Sequence, residues 1–406
     1  MMPRRVAITG LGVVSGAGSD VPTFWANVIA GSSQTRPIAQ VDGALLGRKM
    51  GVEVQTLDLT SLDPRVVTSM DRFAQFAVVA AAEAVAAAGL DDGAPWGERG
   101  AVCTGTSIGG QTTQDNTFRE LYGSQRQRLH PLTLPRAMSS AGSAHLSMRY
   151  GITGPSLTFG TACAAANHAI GHAFWMVRQG TVDRAIAGGS EAPFSYGNLK
   201  AWEALHALSP DSCRPFSSDR QGTILGEGAA MLVLEPLDVA VGRDAHIYAE
   251  VVGFGMGSDA FHLTQPTSAG AARAMRAALA DAALPPDAIG YVNAHGTGTP
   301  ANDLSESEAI RGVFGDHADV LPVSSTKAVH GHGQGATGGF EAVATVMALQ
   351  TGALPPTASV THVDPKCRIL VITGTAVCAS PEYAVSNTFA FGGMNAVLAF
   401  RRWIGA

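Results

Sequence analysis

Cys163 is the residue of this sequence best placed to act as a nucleophile. It lies between a short apolar run at 157–161, which predicts a buried strand, and a run of helix-forming residues at 164–179 that ends before Gly180. The first amides of a helix lack partners within the helix and carry partial positive charge, which favours a thiolate. We therefore expect Cys163 to have a lowered pKa and to be reactive, although a cysteine among small residues can equally be an inert packed group.

Three histidines and a lysine lie in other glycine-rich stretches that each follow an apolar run. His295 occurs in YVNAHGTGTPANDLSE, and STKAVHGHGQGATGG contains Lys327, His330 and His332, with Glu341 in the predicted helix that follows. A thiol with imidazole donors suits acyl transfer, in which a developing oxyanion must be stabilised. The glycines of SNTFAFGGMNAVLAF would let a backbone amide approach the reacting carbonyl closely.

Metal binding and phosphate binding are the rival interpretations of the second histidine loop. His330 and His332 are two positions apart and would point to different sides of an extended segment, and no carboxylate or cysteine is spaced to complete a ligand set. The loop also lacks the GxxxxGK[ST] order of a phosphate-binding loop. We therefore expect neither a metal nor a nucleotide.

The composition limits the compartment and the classes of partner. With 46% hydrophobic and 15% charged residues among 406, the chain can bury a large core and is suited to oligomerisation. A net charge of −6 without a basic run argues against nucleic acid. Five widely spaced cysteines without a CxxC pair predict a reducing cytoplasm and no disulfide framework. The sequence has no window of 18 uninterrupted apolar residues, so we expect no membrane-spanning helix.

The order of apolar runs and helix patterns predicts a layered α/β fold. Two stretches begin alike, RRVAITGLGVVSG and HIYAEVVGFGMGSD, and the segment around Cys163 has a counterpart in the segment that contains Lys327 and His332. We therefore expect two similar halves, 1–243 with the cysteine and 244–406 with the histidines, and a site between them.

Taken together, these motifs resemble those of the elongating β-ketoacyl-acyl carrier protein synthases of the thiolase-like superfamily. The resemblance rests on TACAAA, NAHGTGTPANDLSE, STKxxxGH, RPFSSDRQGTILGEGA and FAFGGMN. It implies a five-layer αβαβα fold with two pseudo-symmetric halves, and a decarboxylating Claisen condensation. In that reaction an acyl group is loaded from a carrier's phosphopantetheine onto Cys163, and malonyl-carrier then loses carbon dioxide and attacks the thioester.

The resemblance also implies a role for each site residue. The amides of Cys163 and Phe391 would hold the tetrahedral oxygen, His295 and His332 would stabilise the enolate, and Lys327 paired with Glu341 would fix their electrostatics. The residues expected to contact the pantetheine arm or acyl chain are Thr297, Thr299, Ile108, Phe389 and Met394. The residues expected to dock the acyl carrier protein are Arg65, Arg72, Arg126 and Arg128. No resident cofactor is expected.

Neighbouring classes differ at single residues. A degradative thiolase needs a second cysteine in a Cys-x-Gly loop, which Cys378 does not provide, and initiating synthases of the acyl-CoA type replace the second histidine by asparagine. Chain-length-factor subunits lack the nucleophile. Departures at Ala390, at Met394 and after His332 leave fatty-acid and type II polyketide, polyene or nodulation-factor pathways open. A homodimer is expected, a heterodimer with a chain-length-factor-like subunit is the variant, and a catalytically quiet carrier-binding subunit is the alternative.

Overall fold

The computed structural model describes residues 3–124 and 128–405, in which strands and helices alternate along the chain. The strands are β1 (Val6–Ser15), β2 (Arg36–Pro37), β3 (Met50–Val52), β4 (Gly100–Gly105), β5 (Ser156–Phe159), β6 (Arg184–Glu191), β7 (Leu225–Gly226), β8 (Gly228–Pro236), β9 (Ala249–Ser258), β10 (Ile289–Asn293), β11 (Pro322–Ser324), β12 (Ala353–Leu354), β13 (Leu370–Val371), β14 (Val377–Cys378), β15 (Tyr383–Ala390) and β16 (Met394–Arg402).

The helices lie in the connections between these strands. They are α1 (Val21–Ile29), α2 (Pro64–Thr68), α3 (Arg72–Ala87), α4 (Gln111–Gly123), α5 (Thr133–Ala137), α6 (Ala141–Tyr150), α7 (Ala165–Arg178), α8 (Tyr196–Ala204), α9 (Leu237–Gly242), α10 (Ser268–Asp281), α11 (Pro300–Phe314), α12 (Lys327–His330) and α13 (Thr337–Thr351). Within the described residues no helix is long and apolar enough to cross a membrane.

The sheet repeats one strand order twice. Its order is β13-β11-β10-β15-β16-β9-β1-β8-β6-β4-β5. From β1 outward through β8, β6, β4 and β5, the pairings are two antiparallel and then two parallel. From β9 outward through β16, β15, β10 and β11 the same series recurs. The duplicated architecture expected from the two similar starts is therefore present, and β1 and β9 join the two copies.

Helices cover both faces of the sheet in each copy, and one helix from each copy lies in a common middle layer. On one face of the first copy, α3 packs against β1, β8 and β6, and on the other face α7 packs against β6 and β4. In the second copy α13 packs against β15 and β16 and also touches α7, while α10 covers β9 and β16 from outside. The layers are thus α, β, α, β and α, as expected, with α7 and α13 together in the middle.

Two glycines of β1 account for the close packing of α3. A Cβ atom at Gly10 would lie 1.9 Å from the Ala84 carbonyl oxygen, and one at Gly12 would lie 1.9 Å from that of Ala80. Only glycine leaves room for the helix backbone at these two positions. The glycines of the GLG run therefore allow α3 to pack directly against β1.

The expected buried strand before Cys163 is shorter and more exposed than predicted. β5 spans Ser156–Phe159, and Leu157 is 43% exposed. The reason is its place at the end of the sheet, where β5 pairs with β4 alone among the described strands. Periodicity within one strand does not reveal its position in a sheet.

Candidate active site

Three side chains from separate strand-to-helix junctions meet in one cavity. Cys163 lies in a short turn of helix just before α7, His295 follows β10, and His332 precedes α13. Their Sγ and ring nitrogen atoms lie within 4.8 Å of one another, and all three residues are buried. The two imidazole rings meet edge to face at 5.6 Å. About 630 Å³ of empty space, part of it open to solvent, lies around them.

His332 presents a proton-bearing nitrogen to the sulfur. Its Nε2 lies 3.1 Å from Cys163 Sγ, and its Nδ1 accepts the main-chain N–H of Gln334 at 3.1 Å. The pKa of His332 is well below its usual range, mainly because of burial and then because of the Lys327 charge. A neutral ring that accepts at Nδ1 carries its proton on Nε2. His332 is therefore a neutral donor aimed at Cys163.

His295 is held in the same tautomer by a lysine. Lys327 Nζ lies 3.1 Å from His295 Nδ1 and also contacts the His295 carbonyl oxygen and Glu341. An ammonium group can only donate, so Nδ1 accepts and Nε2 carries the proton. Burial, followed by the Lys327 charge, lowers the pKa of His295 well below its usual range. The expected Lys327–Glu341 pair is present, with both side chains fully buried.

The pKa of Cys163 is raised, whereas a lowered pKa was expected. Burial raises it to about 11, and the Lys327 charge and hydrogen bonds from the amides of Cys163 and Phe391 only partly offset that rise. Complete desolvation of the sulfur outweighs the partial charge of one helix terminus. The expectation of a lowered pKa for Cys163 is therefore wrong, and burial favours the thiol. The two amides expected to serve the oxyanion do point at the sulfur.

The chemistry of these donors does not favour a metal ion. The trio could supply three ligand atoms, but a metal-binding imidazole nitrogen must offer a lone pair. In both rings that lone pair is at Nδ1, where Lys327 and the Gln334 amide already occupy it. His330 is not part of the trio, because its ring nitrogens contact Gly331 and Thr326.

The expected substrate-contact residues fall into two groups. Thr297, Thr299 and Phe389 line the cavity, and the two threonine hydroxyls lie 2.8 Å apart. Ile108 and Met394 are not among the described lining residues. Ile108 is 44% exposed on the loop that follows β4.

The expected docking arginines also differ from one another. Arg65 in α2 and Arg128 are exposed. Arg72 instead binds the buried Glu227 through Nε at 3.0 Å and Nη2 at 2.7 Å. Its docking assignment is therefore corrected to that of a structural partner, because Glu227 already neutralises its charge. Arg126 lies outside the described residues.

Two buried carboxylates that were not predicted hold the loops of the site. Glu306 accepts the main-chain N–H groups of His295 at 2.8 Å and Gly296 at 2.7 Å. Glu191 accepts those of Ser107 at 2.5 Å and Gly335 at 3.0 Å, so it ties the loop after β4 to the loop after His332. The signal was present in DLSE and GGSEA, where acidic residues stand close to glycine-rich loops.

Trp202 is a further cavity residue that was not predicted. Its ring lies 6.2 Å from that of His332 and 6.1 Å from that of Phe391. It therefore packs against one of the histidines and against the loop whose amide reaches Cys163. A tryptophan in a helical segment gives no local sign of such a position.

Comparison with known proteins gives matches along the whole chain. Residues 3–240 match the family described as beta-ketoacyl synthase, N-terminal domain, and residues 248–361 match its C-terminal domain. Nodulation protein E of Rhizobium sp. (strain N33) is 44% identical over 99% of this chain and 100% of its own length. 3-Oxoacyl-[acyl-carrier-protein] synthase 2 of Staphylococcus aureus (strain COL) is 38% identical over 98% and 99%.

Several solved structures have the same fold along nearly the whole chain. The ishigamide ketosynthase/chain length factor superposes with a TM-score of 0.93 at 34% identity, covering 99% of this chain and 100% of that one. A beta-ketoacyl synthase from Burkholderia phymatum STM815 gives 0.91 at 35% identity, covering 98% and 100%. The ketosynthase of the complex AntDE:AntF, described as bound to its acyl-carrier protein, gives 0.90 at 30% identity, covering 99% and 100%.

Proposed function

The chain belongs to the β-ketoacyl synthase family, and we propose that Cys163 is the nucleophile of its reaction. The protein is a β-ketoacyl-acyl carrier protein synthase. Such an enzyme is an acyltransferase that forms a carbon–carbon bond by decarboxylative Claisen condensation during fatty-acid or type II polyketide chain elongation. The observation that carries the assignment is the 3.1 Å contact between Cys163 Sγ and His332 Nε2 inside a cavity that also holds His295.

In the loading step the thiol attacks the carbonyl carbon of an acyl-carrier thioester. The new bond joins Sγ to the acyl group, the bond to the carrier sulfur breaks, and the proton lost by Cys163 ends on the released carrier thiol. The amides of Cys163 and Phe391, which already point at the sulfur, donate to the tetrahedral oxyanion. Fixed donors of this kind stabilise developing negative charge in a site that excludes water.

In the condensation step malonyl-carrier loses its carboxylate as carbon dioxide. The electron pair of the broken bond passes into an enolate whose oxygen accepts hydrogen bonds from the Nε2–H groups of His295 and His332. The enolate carbon then attacks the carbonyl carbon of acyl-Cys163, the bond from that carbon to Sγ breaks, and the departing thiolate takes up one proton from solvent. Both rings are held as neutral donors by contacts on Nδ1, which supports this role.

The proposed reaction needs no resident cofactor or metal, because the substrates arrive on the phosphopantetheine of an acyl carrier protein. The cavity wall supplies the hydroxyls of Thr297 and Thr299 along the proposed path of that arm. The exposed Arg65 and Arg128 are the proposed docking cations for the carrier, since such charges chiefly steer encounter. A reducing cytoplasm suits the free Cys163 and the other four free cysteines.

We propose that the protein acts as a dimer built on the open edge at β5. Leu157 in β5 is 43% exposed, and Leu134 and Met138 are 74% and 44% exposed. Unpaired strand edges invite pairing with another chain. A second copy is the proposed occupant, with a chain-length-factor-like subunit as the variant, since one similar structure is described as a ketosynthase in complex with its chain length factor. Light scattering of the purified chain distinguishes a dimer from a monomer.

The function is tested by following covalent intermediates. The protein is mixed with acyl-carriers of several chain lengths, and intact mass is measured before and after addition of malonyl-carrier. We expect an acyl adduct that Cys163→Ala abolishes and that malonyl-carrier converts to β-ketoacyl-carrier. Cys378→Ser, at the exposed cysteine, is the matched control and should load normally. Absence of any adduct across chain lengths and carriers would instead indicate the catalytically quiet subunit.

A further inference from the structure

We propose that His330 is a positioning residue that holds Lys327 and His332 in their working geometry. Its side chain is fully buried. Nδ1 lies 2.7 Å from the Gly331 carbonyl oxygen and Nε2 lies 2.9 Å from Thr326 Oγ1. One imidazole thus connects the residue just before Lys327 to the residue just before His332.

The direction of each hydrogen bond follows from what each group can donate. The Gly331 carbonyl oxygen only accepts, so Nδ1 of His330 carries the proton. Burial lowers the pKa of His330 to about 3, which keeps the ring neutral. Nε2 therefore accepts from the Thr326 hydroxyl, whose oxygen in turn accepts from Asn293 Nδ2 at 3.5 Å. The chain of donors is complete, so rotating the ring would break both of its bonds.

The bridged segment contains a single short turn of helix, and main-chain hydrogen bonds from Gly226 and to Ile224 hold the backbone of His332 beyond it. α12 spans only Lys327–His330, and Gly331 leaves it at φ 70° and ψ 177°. A single helical turn is not stable by itself, because nucleation fixes several dihedrals for one hydrogen bond. His330 adds a side-chain connection across this turn, from its first flanking residue to its last.

Two aromatic rings pack around His330. His330 lies 5.8 Å from the ring of Phe24 and 5.3 Å from that of Phe340, and both phenylalanines are fully buried. The site therefore accepts a planar ring, and phenylalanine at position 330 would keep the packing while removing both hydrogen bonds. That substitution separates positioning from core filling.

The test compares His330→Phe with His330→Gln in the full-length protein. Misplacing a catalytic group by about 1 Å can cost a hundredfold in rate, so His330→Phe is expected to lower condensation kcat by up to about a hundredfold. KM for malonyl-carrier should stay within about twofold, because ground-state binding is untouched. His330→Gln, which can both donate to Gly331 and accept from Thr326, should recover most of the loss.

A second variant keeps the test valid if His330→Phe fails to fold. Thr326→Val removes the hydroxyl that donates to His330 Nε2 and nearly conserves volume. It should reproduce the fall in kcat, and the double variant with His330→Phe should be no slower than the worse single variant, as expected for residues acting as one unit. Additive losses in the double variant would overturn the coupling.

The matched control is Phe24→Leu, which loosens the packing against the same ring but leaves both hydrogen bonds. It should lower the melting temperature and keep parental kcat. Parental kcat in His330→Phe, or an equal loss of kcat in Phe24→Leu, would overturn the proposal. The parental protein is measured in the same assay, so a failure of the overall function is seen separately as absent condensation before any substitution.

Discussion

His332 Nε2 lies 3.1 Å from Cys163 Sγ, although the two residues are 169 positions apart in the chain. Cys163 precedes α7 in the first copy of the repeated architecture, and His332 precedes α13 in the second. These two helices pack against each other in the middle layer. Cys163 and His332 therefore meet because equivalent helices begin at the same place in the duplicated fold.

Replacing His332 by alanine should chiefly impair decarboxylation. Removing one oxyanion-type donor typically costs about a hundredfold to a thousandfold in rate, and we expect a loss of that size in carbon dioxide release from malonyl-carrier. Loading of Cys163, followed by intact mass, should fall less. His172→Gln is the control, because His172 stacks on Phe159 away from the cavity. Condensation at the parental rate in His332→Ala would refute the role given to this histidine.

Alkylation of Cys163 should report its raised pKa. Because burial raises that pKa to about 11, the thiolate is scarce near neutral pH, and the rate of iodoacetamide labelling should climb about tenfold per pH unit from roughly pH 7 to 10. Lys327→Met should slow labelling at each pH, since the Lys327 charge lowers the pKa of this thiol. A labelling rate that levels off near neutral pH would contradict the assignment.

Two arginines expected to dock the carrier should behave differently. Arg72→Ala leaves the buried Glu227 without its cationic partner, and breaking a buried pair costs about 3–5 kcal/mol of unfolding free energy. Arg65→Ala removes an exposed charge and should change stability by less than about 0.5 kcal/mol. Denaturant unfolding measures both. Arg65→Ala should instead raise KM for acyl-carrier, and more so at low salt.

Glu306 should make stability depend on pH. Burial raises its pKa from 4.5 to about 7, so its contribution is complete below the unfolded value and is lost as pH rises through about 7. Glu306→Gln does not titrate and loses one acceptor of a main-chain N–H, at a cost of about 1–3 kcal/mol. The difference in melting temperature between parent and variant should therefore shrink as pH rises through the pKa of Glu306. A difference that grows with pH would contradict this sign.

The site was predictable where residue type and local junction carried the information. Cys163, His295 and His332 each stand at a glycine-rich strand-to-helix junction, and the repeated starts of the two halves implied that such junctions meet. The pKa of Cys163 was not predictable, because it depends on burial by segments more than a hundred residues away. Glu227, the partner of Arg72, lies 155 positions further along the chain, and no local sequence pattern indicates that they pair.

Sheet order was equally invisible to local reasoning. The apolar alternation around Leu157 is the same for an inner strand and an edge strand, and only the order of the assembled sheet distinguishes them. Ile108 illustrates the same limit, because its exposure follows from what covers the loop after β4 and not from the loop itself.

Because the two copies share the middle layer, the smallest part of the chain expected to fold by itself contains both copies. α7 and α13 are buried by each other and by the sheets on either side. A polypeptide containing one copy alone would expose an apolar helix face to water and would be expected to aggregate. One copy with this layering would therefore need to self-associate, so that a second molecule covers the helix face that the other copy covers within this chain.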